Sequence, residues 1–145
     1  MKRILVLVCM VLFLMTFVSA EDAAAADRFV NNNDGTVTDT QTNLMWADRD
    51  NGSNINWFNA KIYCEGYSGG GKSGWRMPTI AELRNLHNSG AYGSVIKKTG
   101  SYYVWSSETR DSEAATFNFT YGFWGWHPQS NTIAIYRVLP VRSGK

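Results

Sequence analysis

Cysteine is nearly absent from this chain, which limits what can hold the fold together. Of its two cysteines, Cys9 lies in an apolar N-terminal run and only Cys64 lies beyond it, so no intramolecular disulfide can staple residues 21–145. Histidine is equally scarce. His87 and His127 are the only two, and neither has a second His or Cys at a metal-binding spacing. An excess of one charge is also missing. Lys2 and Arg3 belong to the N-terminal run, which leaves 12 basic against 12 acidic residues in the remainder. That balance supplies no broad positive field, and nucleic acid is excluded as the expected partner. Proline-rich tracts, charge runs and internal repeats are lacking, so nothing marks a second domain. The longest apolar stretch, Ile4 to Val18, has 15 residues, short of the ~20 that a membrane-spanning helix needs.

What is present begins with that stretch. Lys2 and Arg3 precede it, only Thr16 interrupts it, and Val18-Ser19-Ala20 follows with small residues. Basic, apolar, small is the order of a secretory signal peptide. A lipoprotein reading fails, because Val8 before Cys9 is not small and the site lies too early in the run. The expected organisation is a signal peptide over 1–20, a flexible lead-in over 21–27, and one domain over 28–145. Ala23 to Ala26 offers an alternative cleavage site. The expected destination is the periplasm, cell surface or medium, with no transmembrane segment after cleavage. The 125 residues beyond Ala20 suffice for one domain with a real core.

Local patterns then divide the domain. Arg28-Phe29-Val30 and Thr36-Val37-Thr38 flank Asp34-Gly35, a hairpin signal, and Leu44-Met45-Trp46 reads as a third short strand. Trp57, Ala60, Cys64 and Tyr67 recur on one helical face, with Asn56 as cap and Gly66 as stop. Thr79 and Glu82 form a capping box for a second helix with Ile80, Leu83 and Leu86 inward, ending by Asn88-Ser89-Gly90. Strands follow over Tyr102 to Ser106, Ala115 to Phe119, Ile133 to Tyr136 and Val138 to Val141. The expected class is α+β: two short helices and a short-stranded antiparallel sheet.

Four motifs invite chemistry and fail on context. Gly66-Tyr67-Ser68-Gly69-Gly70-Gly71-Lys72-Ser73 matches a phosphate loop letter for letter. Yet a helix precedes it, and Gly74 and Pro78 prevent a helix from starting at Lys72, so a flexible loop is expected. Asn31 to Asp39 imitates a calcium loop, but Val30 and Gln41 stand where carboxylates are required. Ser106-Ser107-Glu108 lacks the strand-turn-helix elbow of a nucleophile. Cys64 shares the apolar helix face and reads as a buried thiol. No acid–base, nucleophilic or metal constellation emerges; the expectation is no enzyme, no cofactor and no metal.

Taken in order, the segments resemble the Lcl C-terminal domain family, named after a bacterial collagen-like adhesin. The similarity rests on Arg28-Phe29-Val30, Asp34 to Thr42, Leu44-Met45-Trp46, Trp57…Ala60…Tyr63-Cys64, Gly74 to Thr79 with Glu82-Leu83, Val104 to Ser107, and Pro140-Val141-Arg142. The resemblance implies a C-type-lectin-like α+β unit whose terminal strands meet in one sheet, with long loops at one end forming a ligand face. It also implies distant kinship to formylglycine-generating enzymes. The adhesin that names the family binds sulfated polysaccharides. This chain lacks a collagen-like stalk, so that adhesin's trimerisation does not carry over. The calcium-dependent sugar motifs Glu-Pro-Asn and Trp-Asn-Asp are missing, as is the cysteine pair of the formylglycine enzymes. The matching residues read as scaffold: Trp75 and Trp105 as core anchors, Arg76 as a residue with a buried partner.

Six Trp, seven Tyr and seven Phe are the oddity of the composition; most are expected to fill the core, but four of them crowd into Tyr121-Gly122-Phe123-Trp124-Gly125-Trp126-His127-Pro128. Gly122, Gly125 and Pro128 weaken a strand, so this segment is expected to be a loop or hairpin tip. Its flat apolar rings with polar edges suit sugar rings or a protein partner. Tyr121, Phe123, Trp124, Trp126 and His127 are therefore the candidate ligand-binding residues. The competing expectation is that alternate residues turn inward and cap the core. The expected function is a secreted recognition or adhesion module that binds surface polysaccharide or another surface polymer. The alternative is a protein–protein subunit of a cell-envelope or surface assembly.

Overall fold

Asp34 and Gly35 turn the chain between strand β1 (Phe29–Asn31) and strand β2 (Thr36–Asp39), as the hairpin signal predicts. The computed structural model describes Ala20 and residues 27–100, 103–132 and 135–145. The rest of the expected signal peptide, lead-in residues 21–26, Tyr102, Ile133 and Ala134 lie outside the described residues. Strand β3 (Leu44–Ala47) pairs antiparallel with β2, and the last strand, β8 (Val141–Ser143), pairs antiparallel with β3. The first and last strands thus share one sheet, ordered β1-β2-β3-β8. A buried ion pair ties it down. Arg28 donates to both Asp39 oxygens at 2.7 and 2.5 Å and to Asn85 Oδ1 at 2.6 Å. Burial alone would raise the Asp39 pKa, but hydrogen bonds from Arg28, Thr42 and the Gln41 N–H hold it below the ordinary value.

Helix α1 (Trp57–Gly66) starts where Asn56 Oδ1 accepts from the Asn59 N–H at 2.9 Å. Its inner face buries Ala60 and Cys64, and burial pushes the Cys64 thiol pKa up. Tyr67, expected on the same face, falls just past the helix in extended backbone and meets Trp75 edge-on at 4.7 Å. The glycine-rich loop is docked rather than flexible. Tyr67 donates to the Gly35 carbonyl at 2.8 Å, and the Gly70 N–H donates to the Asp34 carbonyl at 3.0 Å. Helix α2 (Ile80–Asn88) carries the expected capping box, with Thr79 and Glu82 each satisfying the other's N–H. Its Ile80, Leu83 and Leu86 are buried as predicted, each contributing roughly 1.5–3 kcal/mol by removal from water.

A second sheet, ordered β6-β5-β4-β7, holds strand β4 (Tyr103–Arg110), strand β5 (Glu113–Asn118), strand β6 (Phe123–Pro128) and strand β7 (Tyr136–Arg137). The fold is α+β as expected, but the strands form two sheets instead of one. One pair, β4 with β7, is parallel. β4 also runs past Ser106 to Arg110, with an irregularity between Trp105 and Thr109. Both faces of its central strands are covered. Val104, Ala115 and Phe117 belong to the core shared with α2 and the first sheet, whereas Trp105, Ala114 and Tyr136 pack with Ala60, Cys64 and Met77. β5 is consequently buried without interruption from Ala114 to Asn118.

The loops are fastened by a second buried carboxylate. Asp50 accepts from Tyr92 Oη at 2.7 Å, the Thr99 N–H at 2.8 Å, the Gly52 N–H at 2.9 Å and the Thr99 hydroxyl, with Arg137 at 3.9 Å. Three distant segments converge there, as buried carboxylates require partners.

Candidate functional site

The aromatic segment is a strand rather than a loop over Phe123–Pro128, which corrects the expectation from its glycines and proline. β6 is the outermost strand of its sheet and pairs antiparallel with β5 from Glu113↔Pro128 to Asn118↔Phe123. The Gln129 N–H donates to the Ser112 carbonyl at 2.9 Å. Antiparallel bonding alternates every second residue, so Pro128 falls where an N–H would point away from β5. An edge strand tolerates proline at such a position. The turn before β6 is tight: Asn118 Oδ1 accepts from the Thr120 and Tyr121 N–H groups at 2.9 and 3.1 Å. Gly122 closes it at φ +73°, and a Cβ there would lie 2.9 Å from His87 Cε1. Only glycine fits without strain.

Strand alternation divides the five predicted residues between two faces. Trp124 and Trp126, opposite Phe117 and Ala115, face the α2 side and meet at 5.6 Å in a T-shaped pair. Phe123 and His127, opposite Asn118 and Ala114, lie on the other face. His127 is held between the Tyr103 and Tyr136 rings, with Nδ1 2.9 Å from Tyr136 Oη. Burial lowers its pKa, and its surroundings are those of a scaffold residue. Tyr121 stacks on Phe123 at 6.0 Å, and the two are 75% and 52% exposed. The structure therefore brings Trp124 and Trp126 together and separates them from the other three.

Between α2 and β6 runs a groove of about 270 Å³, lined by Ile80, Ala81, Arg84, Glu108, Ala115, Trp124 and Trp126. Neither Trp124 nor Trp126 directs its indole N–H to a partner among the described residues, so both offer a ring face and a free donor. Arg84 likewise has no hydrogen-bond or ion-pair partner among the described residues. Arg110 lies 4.7 Å over the Trp126 ring while its Nε donates to Glu113 at 2.9 Å. The carboxylate in the groove lining, Glu108, is committed elsewhere. Its oxygens accept from the Ile80 N–H at 3.1 and 3.0 Å, at the positive end of α2, and from Ser106 Oγ at 2.6 Å. The groove thus sets two indoles beside the Arg84 and Arg110 guanidinium groups, with Glu108 held at the start of α2. Sequence reasoning missed Arg84, Arg110 and Glu108. Helical spacing alone could have put Arg84 on the outer face of α2, but no local signal links it to β6.

The motifs rejected by sequence have structural jobs. In the phosphate-loop lookalike, the Gly70, Gly71 and Lys72 N–H groups donate to the Asp34, Ser68 and Gly69 carbonyls, so these three amides are not free to cradle an anion. Asp34 Oδ1 accepts from Thr36, a hairpin bond. Ser106 is fully buried against Glu108. Trp75 and Trp105 are core residues, as expected. Arg76 pairs with Glu82 at 2.9 and 2.7 Å, at a half-exposed site instead of a buried one. Among the described residues no three His, Cys, Asp or Glu side chains converge as metal ligands, and no helix is long and apolar enough to cross a membrane.

Comparison with known proteins adds a family. No curated protein matches the chain. The model of the Lcl C-terminal domain matches residues 35–142, a span that includes both helices, the whole second sheet and the groove between α2 and β6. The chain belongs to the Lcl C-terminal domain family.

Proposed function

We propose that this protein is a secreted recognition module that binds carbohydrate or another surface polymer in the α2–β6 groove, without catalysis. The observation that carries this reading is the pairing of Trp124 and Trp126 on one face beside Arg84, which has no partner among the described residues. Indole faces stack on the apolar faces of sugar rings, their N–H groups serve ring hydroxyls, and Arg84, without a partner among the described residues, can pair with the acidic group of a charged sugar. Export by the N-terminal signal would deliver the domain to such polymers. The test is binding of the purified protein to a panel of neutral and acidic polysaccharides, with and without chelator, followed by intrinsic fluorescence. Saturable binding that survives the chelator and weakens in Arg84→Ala supports the proposal; a panel without a binder counts against it.

A second reading, a protein–protein subunit of a surface assembly, draws on the exposed Tyr121–Phe123 stack on the opposite face. Recovery of one stoichiometric protein partner, lost in Phe123→Ala and retained in Arg84→Ala, would favour that reading.

A further inference from the structure

We propose that two copies of this chain associate through β6, joining their edge strands antiparallel into one eight-stranded sheet. The first reason is an open ladder. The Ser112–Gln129 hydrogen bond sets the bonding phase. Gly125 and His127 accordingly turn their backbone groups to β5, while those of Trp124 and Trp126 point outward with no strand beyond them among the described residues. The second reason is missing protection. Edge strands are ordinarily guarded by lysines, inward charges or bulges. β6 reads Phe-Trp-Gly-Trp-His-Pro, carries no Lys, Arg, Asp or Glu, and pairs with β5 without a bulge. Pro128 alone closes one end.

The third reason is self-complementarity. With Gly125 on the two-fold axis, Trp124 of each copy lies opposite Trp126 of the other, and these are the residues whose N–H and carbonyl groups point outward. Two such pairs give four inter-copy hydrogen bonds. The close, non-hydrogen-bonded pair at the axis is then Gly125 against Gly125, where side chains would otherwise crowd. Charge does not oppose the contact: 12 basic residues balance 12 acidic ones beyond the N-terminal run, and the strand has no such charge. An edge-to-edge pairing of this length covers mainly strand backbone and the flanks of Trp124 and Trp126, below the ~1,000 Å² floor of specific interfaces, which fits a weak dimer. The pairing uses the strand edge, so both α2–β6 grooves open on the same side of the joined sheet. The inference stands independently of what those grooves bind.

The test is sedimentation of the protein, purified in the form the cell produces, across the micromolar range without any polysaccharide. A concentration-dependent dimer is expected, weakened at least about tenfold in Trp124→Lys, which puts a charge on the edge. Gly125→Cys is expected to form a disulfide between copies on mild oxidation. Cα atoms in a non-hydrogen-bonded antiparallel pair lie about 4.5 Å apart, within disulfide range. Exposed Ser107→Cys serves as the control and should crosslink more slowly. If Gly125→Cys lowers the melting temperature, Trp124→Lys decides. A monomer at every concentration, equal crosslinking of the two cysteine variants, or a dimer indifferent to Trp124→Lys would overturn the proposal.

Discussion

Trp105 and Trp124 stand two strands apart in the same sheet and differ in almost every contact. Trp105 is fully buried, stacks on Tyr136 at 4.7 Å and donates its indole N–H to the Ile55 carbonyl at 2.8 Å. Trp124 is 42% exposed, touches another tryptophan edge to face and leaves its N–H without a partner among the described residues. A buried indole must find an acceptor, because an unsatisfied donor in the core is costly. An exposed one has water and can exchange it for a ligand. The difference lies in strand position: β4 is covered on both faces, while β6 has an open edge and a half-covered face. One residue type thus holds the fold at one strand and, on the proposed function, supplies a binding surface at another.

The comparison breaks most readily on stability. Trp105→Ala is expected to cost about 3–5 kcal/mol in chemical denaturation, through lost burial and the cavity left behind. A loss below about 1 kcal/mol would mean that the second core cluster does not depend on this residue. Next comes the turn that launches β6. Gly122→Ala is expected to cost about 1–2 kcal/mol, since alanine is strained at φ +73° and its Cβ would press on His87. A neutral result would show that the hairpin tip relaxes freely. Trp124→Ala should cost about 1 kcal/mol, well below Trp105→Ala, because its ring is 42% exposed and loses only partial burial and one edge-to-face contact.

A smaller effect should follow pH. Burial lowers the His127 pKa below its ordinary 6.5, with Glu113 opposing the shift. The folded state therefore prefers neutral imidazole, and its contribution is complete above about pH 6.5 and lost as pH falls toward the lowered value. Melting curves taken downward from neutral pH should show this decline in the wild type and lack it in His127→Gln. In Asp39 and Glu82, burial pushes the pKa up, but Arg28 and Arg76 and local hydrogen bonds outweigh it. Their contribution should persist until pH falls below their ordinary values of 3.8 and 4.5. A decline with the same midpoint in His127→Gln would move the titration to another group.

Features set by neighbouring residues were legible in the sequence. The Asn56 cap, the Thr79–Glu82 box, the Asp34-Gly35 hairpin and the inward Ile80, Leu83 and Leu86 each need only a few residues of context, and each is found in place. β6 was misread because glycine and proline penalties assume a central strand, and edge status depends on which strands lie beyond. Glu108 reaches the start of α2 from 28 positions away, and Asp50 gathers Tyr92, Thr99 and Arg137. Such contacts leave no periodic trace. The candidate site was half legible for the same reason. Aromatic crowding pointed to Tyr121–His127, but strand alternation separates Trp124 and Trp126 from the others, and Arg84 joins them only through the packing of α2 on the sheet.

The most direct measurement is the affinity of the wild type and of Trp124→Ala for an acidic polysaccharide, by titration calorimetry, with both proteins verified as folded by their melting curves. The expected result is saturable binding by the wild type and a loss of about tenfold or more in the variant, which remains folded at the temperature of the titration. Equal affinity of the two folded proteins would contradict the assignment of the α2–β6 groove as the binding site.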